Sequence, residues 1–391
     1  MKCSDEQFIS NLIELNEKAK VAPDLIDIIT AYARLCQRYG KEVKFYDKNP
    51  AISTNKPTIK DFIDKNPHLD KRSLSFLVSY AEMMRKRGLP FIFNITHLAN
   101  FLEVEDVRLK QLIKYKEKSY HNFYIPKSNG GKRLISAPTD HLKTIQRKIL
   151  KDILERVSLH PSANGFRIGR SVTTNAEKHT GQEVVIKIDI KDFFPSITNQ
   201  RIKGIYVNLG YPDGVAETLT GLSTYKGRLP MGAPTSPYLA NIVATRLDRR
   251  FANLSKKIDF VYSRYADDLA FSSKDKTFAR SIPFFKKIIQ DEGFEVNEEK
   301  VVIARKGGQQ KVTGVVVNRK VNIEQKEYKR LRAVVHNCVN GDLREEMKKW
   351  GASSLNEFKS TFLGHINFVK MLNNEKGYRL LDGFRQISWP V

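Results

Sequence analysis

Cysteine is scarce in this chain. Cys3, Cys36 and Cys338 are its three, far apart and without any CxxC spacing. An odd, dispersed set supports neither a disulfide framework nor a zinc site, and suits a reducing compartment. Long apolar runs are missing too, because no stretch approaches the roughly 18 uncharged apolar residues that span a bilayer. Asp5, Glu6, Asn11, Glu14 and Asn16 break up the N-terminal segment where a signal peptide would need such a run. A cytoplasmic protein with no membrane partner is expected. There is no internal repeat or low-complexity tract, and 15 Pro and 22 Gly in 391 residues exclude a collagen-like or largely disordered chain. Acidic residues are in short supply: 43 Asp and Glu against 67 Lys and Arg leave a formal net charge of +24. With 41% hydrophobic residues there is enough to build a core, so the charge belongs to a folded protein, and nucleic acid is its expected partner.

The first 110 or so residues read as helices. In PDLIDIITAYARLCQRYG, Pro23 and Asp24 open a segment with Leu25, Ile28, Ile29, Tyr32 and Leu35 at helical spacing, and Gly40 closes it. The polar stretch DKNPAISTNKPT reads as a linker or exposed loop. KRSLSFLVSYAEMMRKRGLP is again helical, with Gly88 and Pro90 as stop signals. ITHLANFLEVEDVRLKQLI fits two short helices, loosely like a helix-turn-helix, for which ordinary core-facing helices are the plainer account. Between residues 115 and 170, twelve Lys or Arg face four Asp or Glu, with Tyr115, Tyr120, Phe123 and Tyr124 interleaved. That texture fits a phosphate-tracking surface, and SNGGKR supplies a tight turn presenting Lys132 and Arg133. From 183 onward, EVVIKIDI, FVYSRYADDLAFSS and KVTGVVVN read as strands, alternating with helices, which describes an α+β sheet domain with helices on one face. After Asn318 helix returns, with Tyr328, Leu331, Val334, Val335 and Cys338 three and four residues apart.

The acids in this region carry the sharpest signal. Asp267 and Asp268 are adjacent and flanked by Phe260-Val261-Tyr262 and Leu269-Ala270-Phe271. A carboxylate buried there would cost several kcal/mol without a proton, a basic partner or a cation. Asp189 ends another apolar strand and would approach Asp267 if the two strands pair. Three such acids make an oxygen site for magnesium, which joins carboxylates to substrate phosphates. Two ions about 4 Å apart would support in-line nucleotidyl transfer. A plain hairpin turn beside a surface acid is the competing account of the same residues.

Residues from about 115 to 318 resemble a bacterial reverse transcriptase, through FYIPKSNGGKRLISAP, KTIQRKIL, VIKIDIKDFFPSI, LPMGAPTSPYLAN, YADD, GFEVNEEK and VTGVVVN in order. Asn175-Ala176-Glu177-Lys178-His179 matches the NAxxH element of retron enzymes, and Val312-Thr313-Gly314 their VTG element. The resemblance implies a right-hand polymerase with an antiparallel palm sheet. Its regions would be a helical N-terminal extension over 1–114, fingers over 115–182, a palm over 183–318 with a fingers segment near 200–225, and a helical thumb over 319–391. It implies two Mg2+ ions, with Asp189 and Asp267 bridging them and Asp268 in support. Lys132 and Arg133 match the residues that grip the incoming triphosphate. Phe194 matches the steric gate that favours deoxynucleoside triphosphates, beside a core Phe193, and Lys300 matches a lysine that protonates pyrophosphate.

Met231, before Gly232, departs from the family's usual Gln and cannot donate that amide's hydrogen bond. The long N-terminal region is a second departure. The resemblance further implies RNA-directed synthesis of a short single-stranded DNA joined to a cognate structured noncoding RNA, in defence against phage and commonly with an effector protein. RNA contacts would fall on Asn175, His179 and Thr313, and on Lys326, Lys329, Arg330 and Arg332 of the thumb. Alternatives are another defence-associated reverse transcriptase, a group II intron type, which would carry a longer C-terminus, or a noncatalytic RNA-binding scaffold holding an effector silent.

Overall fold

The computed structural model describes residues 71–126 and 130–390, which fall into two units, one of 71–126, 130–159 and 192–244, the other of 160–191 and 245–390. Cys3, Cys36, the helix expected from Pro23 to Gly40, the polar stretch after it and part of the SNGGKR turn lie outside the described residues. No helix among the described residues is long and apolar enough to cross a membrane.

In the first unit the stop signals act as expected: helix Lys71–Lys86 ends before Gly88, whose φ is +70°. The helix buries Tyr80 and Met84, and the Tyr80 hydroxyl donates to Ile92 O at 3.1 Å. Asn94 caps helix Ile95–Leu102 by accepting from His97 N, and helix Asp106–Lys114 follows. Leu98, Phe101, Leu102 and Leu109 are buried, so this pair packs as core helices. Arg87 donates to Leu209 O at 2.9 Å, at the C-terminus of helix Asn199–Leu209, where carbonyls have no intrahelical donor. The described part of the extension is therefore built into this unit. Strands β1 (Tyr120–Pro126) and β2 (Lys132–Pro138) form an antiparallel hairpin. Its base is tied down by Gln146, which donates to Tyr120 Oη at 2.9 Å and to Leu222 O at 2.8 Å, near the end of helix Asp213–Ser223.

The second unit is organised by a four-stranded sheet of β3 (Val184–Asp189), β4 (Val261–Tyr265), β5 (Asp268–Ser273) and β6 (Val302–Arg305), in the order β4-β5-β3-β6 with every pair antiparallel. EVVIKIDI and FVYSRYADDLAFSS supply three of these strands, as their patterns predict. KVTGVVVN does not join them: Lys311–Val312 (β7) and Val315–Val316 (β8) make a separate two-stranded sheet. The fourth strand, β6, has no strand signal in sequence because it is a four-residue edge strand with Val302 and Ile303 both exposed, so no apolar alternation marks it.

Period-two alternation gives the sheet two unlike faces. On one, Tyr262 and Phe271 pack against Phe251 of helix Thr245–Lys257 and Phe285 of helix Ile282–Asp291, with the Phe271 and Phe285 rings stacked at 4.4 Å. On the other, Val185 and Ala270 join Ala176 and the C-terminal helices Gln325–Asn340, Leu355–Leu372 and Asn374–Arg385 in one core. Tyr328, Leu331, Val334 and Cys338 form the buried face that their spacing predicts.

Residues 160–182, grouped with the fingers in the sequence reading, cluster with this sheet. Arg264 N donates to Ser162 O and Asn164 N to Arg264 O, both at 2.8 Å, so this segment covers the outer edge of β4.

Candidate active site

The register of β3 and β5 sets Asp189, the last residue of one strand, opposite Asp268, the first of the other. Cross-strand partners project from the same face, so these two carboxylates lie side by side. Lys187 shares that face two residues back along β3. Asp267 precedes Asp268 in the two-residue connection from β4, and its carbonyl accepts from Ile190 N at 2.9 Å. The pairing of the two apolar strands thus gathers all three acids at one end of the sheet.

Their electrostatics differ from those of ordinary surface acids. Burial pushes the Asp268 carboxyl up to about 6; Lys187 opposes this, the charges of Asp267 and Asp189 add to it, and Lys300 opposes it. Both oxygens of Asp189 receive Lys300 Nζ at 3.1 Å, and Asn297 Nδ2 donates to Oδ1 at 3.2 Å. An ammonium thus rests where a cation is favoured. Among the described residues no group of three or more His, Cys, Asp or Glu side chains is close enough to make a metal cage by itself. An all-oxygen set of few protein ligands fits magnesium, which keeps waters and completes its shell with substrate phosphates. Lys187 and Asn297 belong to this end of the sheet and went unnoticed in sequence, since neither stands in a run that demands a partner.

The residues expected to handle the nucleotide lie in the first unit. Lys132 and Arg133 are exposed on β2, opposite Pro126 and Ile125. Phe193 is buried at 2% exposure, as a core ring should be, while its neighbour Phe194 is half-buried. Met231 is half-buried, and its carbonyl accepts from Ser136 N at 2.7 Å. Gly232 has φ +122°, and a Cβ on it would come 2.9 Å from Ser136 O, so only glycine lets this loop lie against β2.

The residues expected to touch RNA divide sharply. Asn175 and His179 are fully buried. Asn175 Nδ2 approaches Thr313 Oγ1 at 3.4 Å, so the NAxxH and VTG elements meet each other. His179 bridges Ser272 Oγ and Ser263 Oγ, each at 2.7 Å, and burial, helped by the Lys178 charge, lowers its pKa to about 3. The His179 ring is committed to the fold, while Asn175 is buried with its Oδ1 lacking a hydrogen-bond partner. On helix Gln325–Asn340, Lys326, Lys329, Arg330 and Arg332 are exposed, but Arg330 is bonded to both oxygens of Glu327 at 2.8 and 2.7 Å and lies 4.6 Å over the Trp350 ring.

Comparison with known proteins identifies the family. A family model described as reverse transcriptase (RNA-dependent DNA polymerase) matches residues 125–364. The retron Mx65 reverse transcriptase of Myxococcus xanthus is 40% identical over 280 residues, which is 67% of this chain and 63% of that protein. The retron Mx162 reverse transcriptase of the same organism is 34% identical, covering 78% of this chain and 70% of its own length. The retron Ec86 reverse transcriptase of Escherichia coli is 32% identical, covering 76% and 95%. The chain belongs to the reverse transcriptases, RNA-dependent DNA polymerases, and within them to the retron type.

Proposed function

We propose that this enzyme copies a cognate structured noncoding RNA into a short single-stranded DNA that stays joined to the RNA, as part of an anti-phage system with an effector protein. The observation that carries the chemistry is the β3–β5 register, which sets Asp189 beside Asp268 with Asp267 adjoining. Asp189 and Asp267 would hold two Mg2+ ions between them, with Asp268 in support. When bound, such ions activate an attacking hydroxyl and stabilise the leaving pyrophosphate oxygen.

The chain's own groups do the rest. Lys132 and Arg133 bind the triphosphate of a deoxynucleotide, Arg133 through its planar fork. The Phe194 ring excludes a ribose 2′-hydroxyl, and Met231 packs on the sugar or base without donating to it. Lys300 Nζ, now on Asp189, holds a proton that it can give to the departing pyrophosphate. The exposed cations of helix Gln325–Asn340 take RNA phosphates, while base reading falls on loops and ends, since duplex RNA hides base edges in its deep groove.

Asp267→Asn tests the assignment. DNA synthesis on the RNA should fall on the order of 10³-fold or more, with RNA affinity within about twofold of wild type. Undiminished synthesis refutes the metal-acid assignment. Nucleic acid that co-purifies with the protein, treated with RNase and DNase, should prove to be RNA joined to short DNA. RNA alone would favour a scaffold that has kept the fold without the reaction.

A further inference from the structure

Behind the acids, on the opposite face of the sheet, two more charges lie fully buried: Arg264 of β4 and Asp248 of helix Thr245–Lys257. Arg264 Nε and Nη2 donate to the two Asp248 oxygens at 2.8 and 2.7 Å, and Tyr262 Oη donates to Oδ1 at 2.8 Å. Arg264 Nη1 is left to turn the other way, and it donates to Ala266 O at 3.0 Å.

Ala266 is the first residue of the connection that carries Asp267. Its φ is +57°, a left-handed conformation that residues with a Cβ seldom adopt and that persists only where surrounding contacts enforce it. The next carbonyl, of Asp267, is held by Ile190 N. The peptides on both sides of Asp267 are therefore anchored, one to Arg264 and one to the end of β3. Gly165 closes a third side: a Cβ there would come 2.7 Å from Ala266 N.

We propose that the Arg264–Asp248 pair, completed by Tyr262, is a positioning device that holds Ala266 left-handed and so sets the direction in which Asp267 and Asp268 leave the sheet. The inference rests on the reading of those two acids as metal ligands. A buried ion pair is weak evidence for stability by itself, since apolar residues of similar volume commonly serve as well. What apolar residues cannot supply is a rigid fork that grips a carboxylate along one edge and a carbonyl with a third nitrogen. A lysine keeps the charge but loses the fork.

The test uses Arg264→Lys and the double variant Asp248→Leu/Arg264→Met in the full chain. It compares thermal midpoint, kcat and KM for deoxynucleotide, RNA affinity, and Mn2+ binding followed by electron paramagnetic resonance without nucleic acid. In variants that fold, kcat should fall about 10- to 100-fold with KM and RNA affinity within about twofold, because small misplacement of reacting groups is costly. Mn2+ affinity should weaken about tenfold. A folded variant with wild-type kcat and Mn2+ affinity overturns the proposal and leaves the pair a structural one. If neither variant folds, Tyr262→Phe decides, since it removes one hydroxyl. There kcat should fall about threefold and Mn2+ affinity with it, and wild-type values overturn the proposal. Asp267→Asn is run alongside. Synthesis by that variant would sink the metal-acid reading itself, whereas its loss beside normal Arg264 variants sinks only the positioning role.

Discussion

The two faces of the four-stranded sheet hold acids of opposite character. Asp248 is fully buried, yet every oxygen is answered by Arg264 or Tyr262, so nothing in its surroundings asks for a further cation. Asp268, on the other face, has Lys187 nearby, but burial and the charges of Asp267 and Asp189 outweigh it and push its carboxyl up to about 6. Asp189 meanwhile is held by a lysine that is itself half exposed. The contrast separates charge used for folding from charge kept for a ligand. Where compensation is internal and complete the group serves the fold, and where it is incomplete at a surface-facing end the group awaits something from outside.

Stability measurements should split the two faces most widely. Asp248→Ala leaves a buried guanidinium without its partner and should cost about 3–5 kcal/mol in urea unfolding. Asp268→Asn, without divalent ions, removes like-charge repulsion and should be neutral or stabilising by about 1 kcal/mol. Comparable losses from the two substitutions would erase the distinction.

Histidine sharpens it at smaller scale. His179 sits neutral between two serine hydroxyls with a pKa of about 3, below the 6.5 of an unperturbed histidine. The unfolded chain therefore takes up the proton first, and the stability this residue contributes above pH 6.5 is lost as the pH falls toward 3. Between pH 6.5 and 5.5 the loss should be about 1 kcal/mol. His97, buried in the other unit with a pKa of about 4, acts in the same sense. His179→Gln should make the urea midpoint less sensitive to acid by that one residue's share. An unchanged pH profile would show that His179 is not held neutral.

This distinction also marks what could be read in advance. Asp189 and the Asp267-Asp268 pair were legible as acids ending apolar strands that demand compensation, but it was the ordered motifs around them that chose a metal site over a plain hairpin turn. Phe193 was told from Phe194 only through the resemblance, which left Phe193 as the core ring that its burial shows. Arg264 carried an equally strong signal, a cation inside the apolar run FVYSRY, but its partner is sixteen residues upstream on a helix and nothing local points there. β6 was hidden because an exposed edge strand has no alternation to detect. His179 stood in a motif that the resemblance associates with RNA, and motif membership says nothing of burial. The left-handed conformations of Ala266 and Thr313 were illegible for a plainer reason: neither residue type favours φ above zero, so tertiary contacts alone impose it.

Among surface cations the same test predicts a graded response to salt. If six to ten phosphates are contacted, RNA binding should weaken roughly 10³- to 10⁵-fold between 50 and 200 mM salt. Lys329 and Arg332 are exposed on helix Gln325–Asn340 and have no acid paired to them among the described residues. Lys329→Gln or Arg332→Gln should each lower the slope of log K against log salt by about 1. Arg330, on the same helix, already gives two hydrogen bonds to Glu327 and stacks over Trp350. A phosphate would have to compete with that carboxylate, so Arg330→Gln should change the slope by less than either neighbour does. If Arg330→Gln instead had the largest effect, a partnered charge would be working on ligand, and internal pairing would no longer sort this molecule's charges by use.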